Sequence, residues 1–529
     1  MISSTRGGAA NSALIILLTA GAAIGGAIVA VHYHQLGLTL SHYDARGHLI
    51  VARRIIDSIT PGWQQIGAVW LPLPHLLNAL PVQVDAWYAS GSSAVAISIA
   101  AFAVSVGAIS WIVLELTESP VAAVSGAAVF ALNPNVLYLQ ATPMTEPLLL
   151  ALTTLAVAML LRWCRPGPMD PAKGDPWRVQ RTRPTSVGWV FALACLTRYE
   201  AWPVTFAALT AAVWARWRQG DPLDLAARRV RAIALFPIAA IAGFLIFSRV
   251  VIGEWFVASG FFTPENKALG QPFMSAAEIL YGLRGLSGSF LVAIAAVGAI
   301  TLLILGLTKA RWSPALIVLS LAATAALPWL AFIDGHPFRI RYMVPLIAIE
   351  AIGIGFTLGL IRRALELRLS ASAARSALIV VAVGLIAYEL RPLDLSAPMI
   401  VEAQWDRPNV PAREQVTACL DGPQAGGKIM ASMGSLGHYM QETSRAGYRL
   451  QDFLHEGNGD IWISAFAGGP RPFAEWVLIE EKAEGGDMLA LRARENPHFL
   501  DGYSRVCEGA GLALYKRAQG SPQPPATSP

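Results

Sequence analysis

An apolar run from Ala13 to Val31 is followed shortly by the stretch Ser41-His42-Tyr43-Asp44-Ala45. The run matches the roughly 20 apolar residues that a helix needs to cross a bilayer. It is too long for the apolar part of a signal peptide, and no small-residue cleavage site follows it. We therefore predict an uncleaved first span, with a carboxylate, Asp44, just beyond its far end.

The composition extends this prediction to most of the chain. Of the 529 residues, 54% are hydrophobic and only 14% are charged, and the mean hydropathy is +0.49. Soluble domains carry about 25% charged residues. The chain is thus predicted to be an integral membrane protein. In such a protein the formal charge of +5 reflects topology and does not indicate nucleic-acid binding.

Eleven apolar segments have the character of membrane spans, and the basic residues orient them. Arg and Lys cluster within 162–183, 216–231, 309–311 and 362–375. With a cytoplasmic N-terminus and eleven spans, all four clusters fall on the cytoplasmic side, as the positive-inside rule requires. Asp44 and everything after residue 392 are then extracytoplasmic. The predicted spans are 12–31, 93–116, 121–139, 146–163, 186–197, 203–215, 232–252, 288–308, 314–333, 344–361 and 376–391.

Two extracytoplasmic regions are predicted to be structured. In the first outer loop, 32–92, Ala45–Ile59 has helical apolar spacing with interleaved Arg, which is typical of a helix lying in the membrane interface. Residues 393–518 alternate strand and helix patterns, as in a small α/β domain. The tail, 519–529, is predicted to be disordered. The membrane domain therefore comprises 1–392. Cys419 and Cys507 either form a disulfide or remain unpaired, buried thiols.

Four groups of polar residues lie at the outer ends of the predicted spans. Asp44 is either a helix N-cap or a base, and Glu146 either complements a helix dipole or is a second active-site carboxylate. Arg198 and Glu200 either pair with each other or leave Arg198 to bind an anion. Arg339 and Arg341, near His336 and Tyr342, oppose the positive-inside bias. Those two arginines are therefore expected to have an anionic partner, either lipid head groups or a substrate phosphate.

The sequence lacks the motifs of several other enzyme classes. The chain has no phosphate-binding Gly-x-x-x-x-Gly-Lys loop, no His-Glu-x-x-His and no Gly-x-Ser-x-Gly. His42, His48 and His75 are potential metal ligands together with Asp44, but no spacing requires a metal. We predict neither a metal nor another cofactor.

Together these features resemble the GT-C membrane glycosyltransferases, most closely the group of protein O-mannosyltransferases and aminoarabinose transferases. The resemblance rests on Tyr43-Asp44-Ala45, on His48–Arg54, on Trp70-Leu71-Pro72-Leu73-Pro74-His75 and on Arg341-Tyr342-Met343-Val344-Pro345. It covers about residues 10–390. Many relatives have a doubled acid where this chain has Asp44-Ala45, which argues against metal binding there.

The resemblance implies a sugar donor on polyprenyl phosphate, an acceptor of unknown kind and one inverting displacement at the inner membrane's outer face. Asp44 would be the general base, and Glu146 would orient the acceptor or Asp44. The phosphate would be held by Arg341 with Tyr342, and by Arg339 or Arg198. A secondary transporter and a non-catalytic scaffold are the alternatives. Substrate contacts are also expected from His42, Tyr43, His75, Glu200 and His336.

Overall fold

The computed structural model describes residues 2–165, 183–255 and 266–518. Much of the basic cluster 162–183 and the predicted disordered tail lie outside the described residues. The chain divides into two compact units. Unit 1 consists of Met1–Leu36, Val95–Val250 and Glu254–Glu402, and unit 2 of Gly37–Ala94, Val251–Gly253 and Ala403–Pro529.

Helices account for most of the described chain, together with short 3₁₀ turns. Those in the first half are α1 Ile2–Gln35, α2 Tyr43–Arg53, α3 Leu73–Asn78, α4 Asp85–Ser90, α5 Ser92–Thr117, α6 Pro120–Ala131, α7 Pro134–Leu139, α8 Glu146–Cys164, α9 Pro184–Cys195, α10 Ala201–Arg218 and α11 Leu223–Val251. Those in the second half are α12 Pro272–Ser287, α13 Ser289–Thr308, α14 Ala315–Leu319, α15 Ala326–Ile333, α16 Leu346–Glu366, α17 Ala371–Glu389, α18 Pro398–Ala403, α19 Val410–Ala418, α20 Met433–Glu442, α21 Asp460–Gly468 and α22 Met488–Glu495.

Every predicted span overlaps at least one helix, and seven helical segments are long and apolar enough to cross a membrane among the described residues. The count of eleven spans stays a prediction. The segment 121–139 is two helices, because Asn133 caps a new helix at Pro134, a residue that cannot continue the preceding one. The outer loop 253–287 contains α12, a helix that the sequence reading missed.

Small residues allow the helices of unit 1 to approach closely. A Cβ atom on Gly353 of α16 would lie 2.7 Å from the carbonyl oxygen of Ala295 in α13. A similar contact joins α16 to α6, where a Cβ on Gly126 would lie 2.9 Å from the carbonyl oxygen of Ala351. Packing of backbone on backbone is a common way for helices to associate in lipid, where the hydrophobic effect between them is weak.

Unit 2 contains one five-stranded sheet. Its strands are β1 Ile429–Ala431, β2 Phe453–Leu454, β3 Trp476–Glu480, β4 Tyr503–Gly509 and β5 Leu512–Arg517. They are arranged in the order β2-β1-β3-β5-β4, parallel between β2, β1 and β3 and antiparallel between β3, β5 and β4. The pattern at 503–516 predicted a hairpin or a strand, and the structure has the hairpin. A disulfide joins Cys419, just after α19, to Cys507 in β4.

The first outer loop packs within unit 2, although the predicted domain division placed it with the membrane helices. Leu49 and Ile50 of α2 belong to the same core as Leu436, Tyr439 and Met440 of α20. Polar contacts connect the same two segments of chain. The Asp57 carboxylate accepts hydrogen bonds from the backbone N–H of Leu450 and Gln451, and Gln65 Nε2 donates to the carbonyl oxygen of Gly457 at 2.7 Å.

The predicted interfacial helix, Ala45–Ile59, differs from the observed one in length and surroundings. It ends at Arg53, and its arginines do not form an exposed polar face. Arg53 is buried and pairs with Asp57 at 2.7 Å and with Asp85 at 2.5 Å. Interleaved charges on a helix usually indicate a solvated face, but here each charge has a partner inside unit 2.

Candidate functional site

Asp44 lies in the first turn of α2, where it is not the N-cap. The cap is His42, whose Nδ1 accepts a hydrogen bond from the backbone N–H of Asp44 at 3.1 Å. Of the two alternatives for Asp44, the N-cap is therefore wrong, and the role of base stays a prediction. Asp44 is 7% exposed, and next to it Tyr43 stacks on the His42 ring with 39% of its surface accessible. The helix start thus holds the carboxylate without using it as a cap.

His48, four residues after Asp44 in α2, forms a buried pair with His75. His48 Nδ1 lies 3.1 Å from His75 Nε2, and His75 Nδ1 lies 3.1 Å from the carbonyl oxygen of Leu71. Burial, reinforced by the charge of Arg54, lowers the pKa of His75 to about 3. His75 was expected to contact substrate, but both of its ring nitrogens are engaged inside unit 2. This expectation is wrong, since the imidazole has no surface to offer.

Among the described residues, no group of three His, Cys, Asp or Glu side chains is placed to hold a metal ion. His42 uses Nδ1 as a helix cap, and His75 uses both nitrogens in hydrogen bonds. The residues considered as metal ligands therefore do not present a donor set. Metal independence itself stays a prediction.

A buried charge network fixes α2 to the C-terminal segment. Arg46, two residues after Asp44, pairs with Glu442 of α20. Arg413 of α19 donates to both Glu442 oxygens, at 2.7 and 2.8 Å, and to both oxygens of Asp406, at 2.8 and 2.7 Å. Two arginines and two carboxylates thus balance in charge. Such forked contacts define orientation because guanidinium and carboxylate planes match.

In unit 1, Arg198 lies between two buried carboxylates. Its Nη1 is 3.0 Å from Oε1 of Glu146, and its Nη2 is 2.7 Å from Oε1 of Glu200. Thr145 Oγ1 accepts a further hydrogen bond from Nη1 at 3.0 Å. The ion-pair interpretation of Arg198 is therefore the one that the structure shows. A guanidinium already neutralised by two acids has little charge to give to a donor phosphate.

Arg341 and its neighbours occupy a 3₁₀ turn before α16. Arg341 is 8% exposed, and its guanidinium carbon lies 5.1 Å from the centroid of the Tyr342 ring, a cation–π distance. Tyr342 Oη lies 3.3 Å from His336 Nε2. His336 Nδ1 donates to the carbonyl oxygen of Pro337 at 2.8 Å, so Nε2 is the acceptor of the tyrosine proton. Arg339 begins the same turn and is partly exposed.

Polar residues that were not predicted from the sequence hold this turn in place. Glu402 accepts a hydrogen bond from the backbone N–H of Ile340 at 2.8 Å. Asn266 donates to the carbonyl oxygen of His336 and to Glu278 of α12, both at 2.9 Å. The one indication of these groups in the sequence was Glu278, a single acidic residue in an apolar stretch with helical spacing. The turn that carries Arg341 is therefore anchored by polar groups from α12 and from the end of α18.

With seven candidate spans among its described residues and polar groups gathered in turns between helices, the chain belongs to the class of polytopic helical membrane proteins. No family model and no curated protein matches it. Solved structures do share its fold. ArnT from Cupriavidus metallidurans bound to undecaprenyl phosphate has a TM-score of 0.56 at 12% identity, covering 94% of this chain and 99% of ArnT.

Two further structures agree. The apo form of the same ArnT has a TM-score of 0.55 at 12% identity, covering 93% of this chain and 98% of ArnT. The apo oligosaccharyltransferase from Archaeoglobus fulgidus has a TM-score of 0.50 at 12% identity, covering 88% of this chain and 70% of its own. Both neighbours are GT-C glycosyltransferases. The predicted resemblance is confirmed at the level of the fold.

Proposed function

We propose that the chain is an integral-membrane glycosyltransferase that moves a sugar from polyprenyl phosphate to an acceptor outside the cytoplasm. The observation that carries this proposal is the fold, which is shared over nearly the whole length of a transferase bound to undecaprenyl phosphate. A membrane-embedded fold also suits a donor whose hydrocarbon chain remains in lipid. The distribution of basic residues supports an inner-membrane protein whose site faces outward.

The proposed reaction is one inverting displacement. The acceptor hydroxyl attacks the anomeric carbon, its proton passes to the Asp44 carboxylate, and the bond from that carbon to the phosphate oxygen breaks. The polyprenyl phosphate leaves with the electron pair. Asp44 suits the role of base because it places a carboxylate in the first turn of α2, where His42 is the cap.

Arg341 is the residue we propose to bind the donor phosphate. It lies in an anchored turn and rests on the ring of Tyr342, so its fork of donors is oriented in advance. Arg339, partly exposed in the same turn, adds positive charge. Arg198 is assigned instead to Glu146 and Glu200, where it holds the Glu146 side chain in place for its proposed role of orienting the acceptor.

The experiment is sugar transfer in membranes from labelled polyprenyl-phosphate sugars, hexoses and pentoses alike. Asp44→Asn is compared with the wild type and with Asp501→Asn, an exposed aspartate of unit 2 that pairs only with His498 in the described structure. Asn keeps the shape of Asp but takes no proton. We expect Asp44→Asn to lose transfer by about 10²- to 10⁴-fold, with Asp501→Asn unchanged.

Equal transfer by wild type and Asp44→Asn would remove Asp44 as the base and direct the search to Glu146. Absence of transfer from every donor by a well-folded wild type would contradict the proposed activity and would make uptake assays the next measurement.

A further inference from the structure

One stretch of the first outer loop, residues 58–84, contains no Asp, Glu, Lys or Arg. Its only titratable side chain, His75, is kept neutral by burial, which lowers the pKa of that ring to about 3. The nearest charged residues along the chain are Asp57 and Asp85, one at each end. We refer to residues 58–84 as the uncharged loop. It has no charge that would have to leave water on contact with lipid.

Arg53 of α2 holds the two ends of the uncharged loop together. Its Nε donates to Asp57 Oδ2 at 2.7 Å, and its Nη2 donates to Asp85 Oδ1 at 2.5 Å. Its Nη1 donates to the carbonyl oxygen of Val82 at 3.1 Å. The charges that flank the loop are thus paired at its base, on the helix that also carries Asp44.

The uncharged loop presents apolar side chains on its outside as well as its inside. Ile66, Leu71 and Val82 are buried, as in any folded segment. Large apolar side chains are nevertheless exposed along the loop, at Trp63, Val69, Leu76, Leu77, Leu80 and Val84. The exposed fraction reaches 67% at Trp63 and 75% at Leu80. A surface of this kind marks a site of interaction with another molecule or with a membrane.

The connections of the chain bring this surface close to the bilayer. The first outer loop begins where α1 ends and leads directly into α5, and both helices are candidate spans. Trp87, which is exposed on α4, lies five residues before Ser92, the first residue of α5. One helical turn and two further residues limit the distance between their Cα atoms to about 13 Å. The end of the uncharged loop is therefore within reach of the membrane surface, where Trp and Leu side chains readily insert.

We propose that the uncharged loop lies in the surface of the lipid bilayer, with its exposed Trp and Leu side chains among the headgroups and the ends of the acyl chains. A lipid partner accounts for the absence of charge, whereas a protein partner usually requires a polar rim. The interfacial contact expected at α2 is thus made by the segment that follows it. Through Arg53, this contact holds α2 at the membrane surface. Its importance for catalysis rests on the proposed role of Asp44, but the contact itself does not.

The test measures the depth of a nitroxide spin label attached to the loop. Full-length Leu80→Cys and Leu491→Cys are labelled and reconstituted into vesicles of phosphatidylethanolamine and phosphatidylglycerol. Leu491 is the matched control, a leucine of α22 that is 50% exposed and adjacent to Arg492. The native cysteines do not interfere, because two are buried and two form the disulfide, and labelled wild type is the blank.

Oxygen concentrates in hydrocarbon and a nickel chelate stays in water, so the ratio of their collision rates with the label reports its depth. We expect this ratio to be about three- to tenfold higher at position 80 than at position 491. Equal ratios overturn the proposal, since the loop then lies in water. Low collision rates with both reagents at position 80 also overturn it, because another segment of the chain or a second copy then covers the loop.

Leu77→Cys repeats the measurement if thermal unfolding shows that Leu80→Cys does not fold. The label reports depth without any sugar transfer, so the result is independent of the proposed activity. A label in water would leave that activity standing, and an inactive protein with a label in lipid would overturn only the activity.

Discussion

The chemical role of Asp44 depends on a hydrogen bond made by its neighbour. From the sequence, an aspartate just before an apolar run is as good a cap as a base, and nothing in the pattern decides between them. In the structure His42 occupies the capping position, which removes the cap as an alternative, and the role of Asp44 as base is our proposal. The sequence was also not sufficient to assign a role to Arg198. Its position at the outer edge suggested phosphate binding, whereas the two carboxylates that enclose it come partly from a helix about fifty residues earlier.

At Arg341, replacement by Gln is expected to lower kcat/KM by about 10²- to 10³-fold, because a preorganised donor to the leaving phosphate is lost. Arg341→Lys should fall in between, since it keeps the charge but not the planar fork. The measurement is steady-state transfer from a polyprenyl-phosphate sugar.

Arg339→Gln is the matched control, since Arg339 lies in the same turn but is partly exposed, and a smaller loss is expected there. Equal losses at the two positions would contradict a specific role for Arg341.

Among the elements, α2 shows how periodicity can be right while its interpretation is wrong. Its apolar spacing did predict a helix, and a helix is what the structure has. Burial of its arginines was not predictable, because their partners Glu442, Asp85 and Asp57 lie up to about 400 residues away in sequence. A helical pattern shows which residues of a helix face a core. It does not show which other segments of the chain form that core.

Ile50→Ala is therefore expected to destabilise the C-terminal segment by about 2–4 kcal/mol, because it removes a side chain from the core shared with α20. Ile56→Ala, in the same loop but 49% exposed, is the control and should cost much less. The readout is the denaturant midpoint for proteolysis within 403–518. If Ile50→Ala leaves that midpoint unchanged, the loop and the C-terminal segment do not share a cooperative core.

For the whole molecule, the sequence predicted the GT-C fold and a helix at each apolar segment, whereas the roles of the site residues stay predictions. It did not predict that the first outer loop folds with the C-terminal segment, because composition places a boundary only where polarity changes. It also left the pairing of Cys419 with Cys507 open, since two cysteines at any distance are equally consistent with bonded and free thiols until the chain is folded.

The stability of unit 2 is expected to fall in acid. Burial lowers the pKa of His75 and His455 to about 3 and that of His438 to about 4. These folded-state values lie below the unfolded value of about 6.5, so the unfolded chain binds protons first. Stability is complete above about pH 6.5 and decreases toward pH 4, by up to about 1.4 kcal/mol per pH unit for each histidine.

Asp487 has the opposite effect on the stability of unit 2. Burial raises its pKa to about 6, so its contribution to stability is lost as the pH rises from about 4 to 6. Three histidines outweigh one aspartate, so the net slope is positive. Urea unfolding from pH 4.5 to 7.5 measures the slope of the free energy of unfolding against pH. His455→Gln should reduce this slope by the equivalent of about one proton. A slope of zero in the wild type would show that these histidines remain accessible to protons in the folded protein.

Unit 2 is assembled from three stretches of chain, and about 300 residues separate its two long ones, Gly37–Ala94 and Ala403–Pro529. At about 5–20 residues per second, a ribosome needs roughly 15–60 s to make the intervening part. Throughout that interval the nascent first loop has no partner for Arg46 and no core for Ile50. The helix that carries Asp44 thus completes its packing late in synthesis, and a chain that ends before residue 403 lacks the segment against which that helix packs.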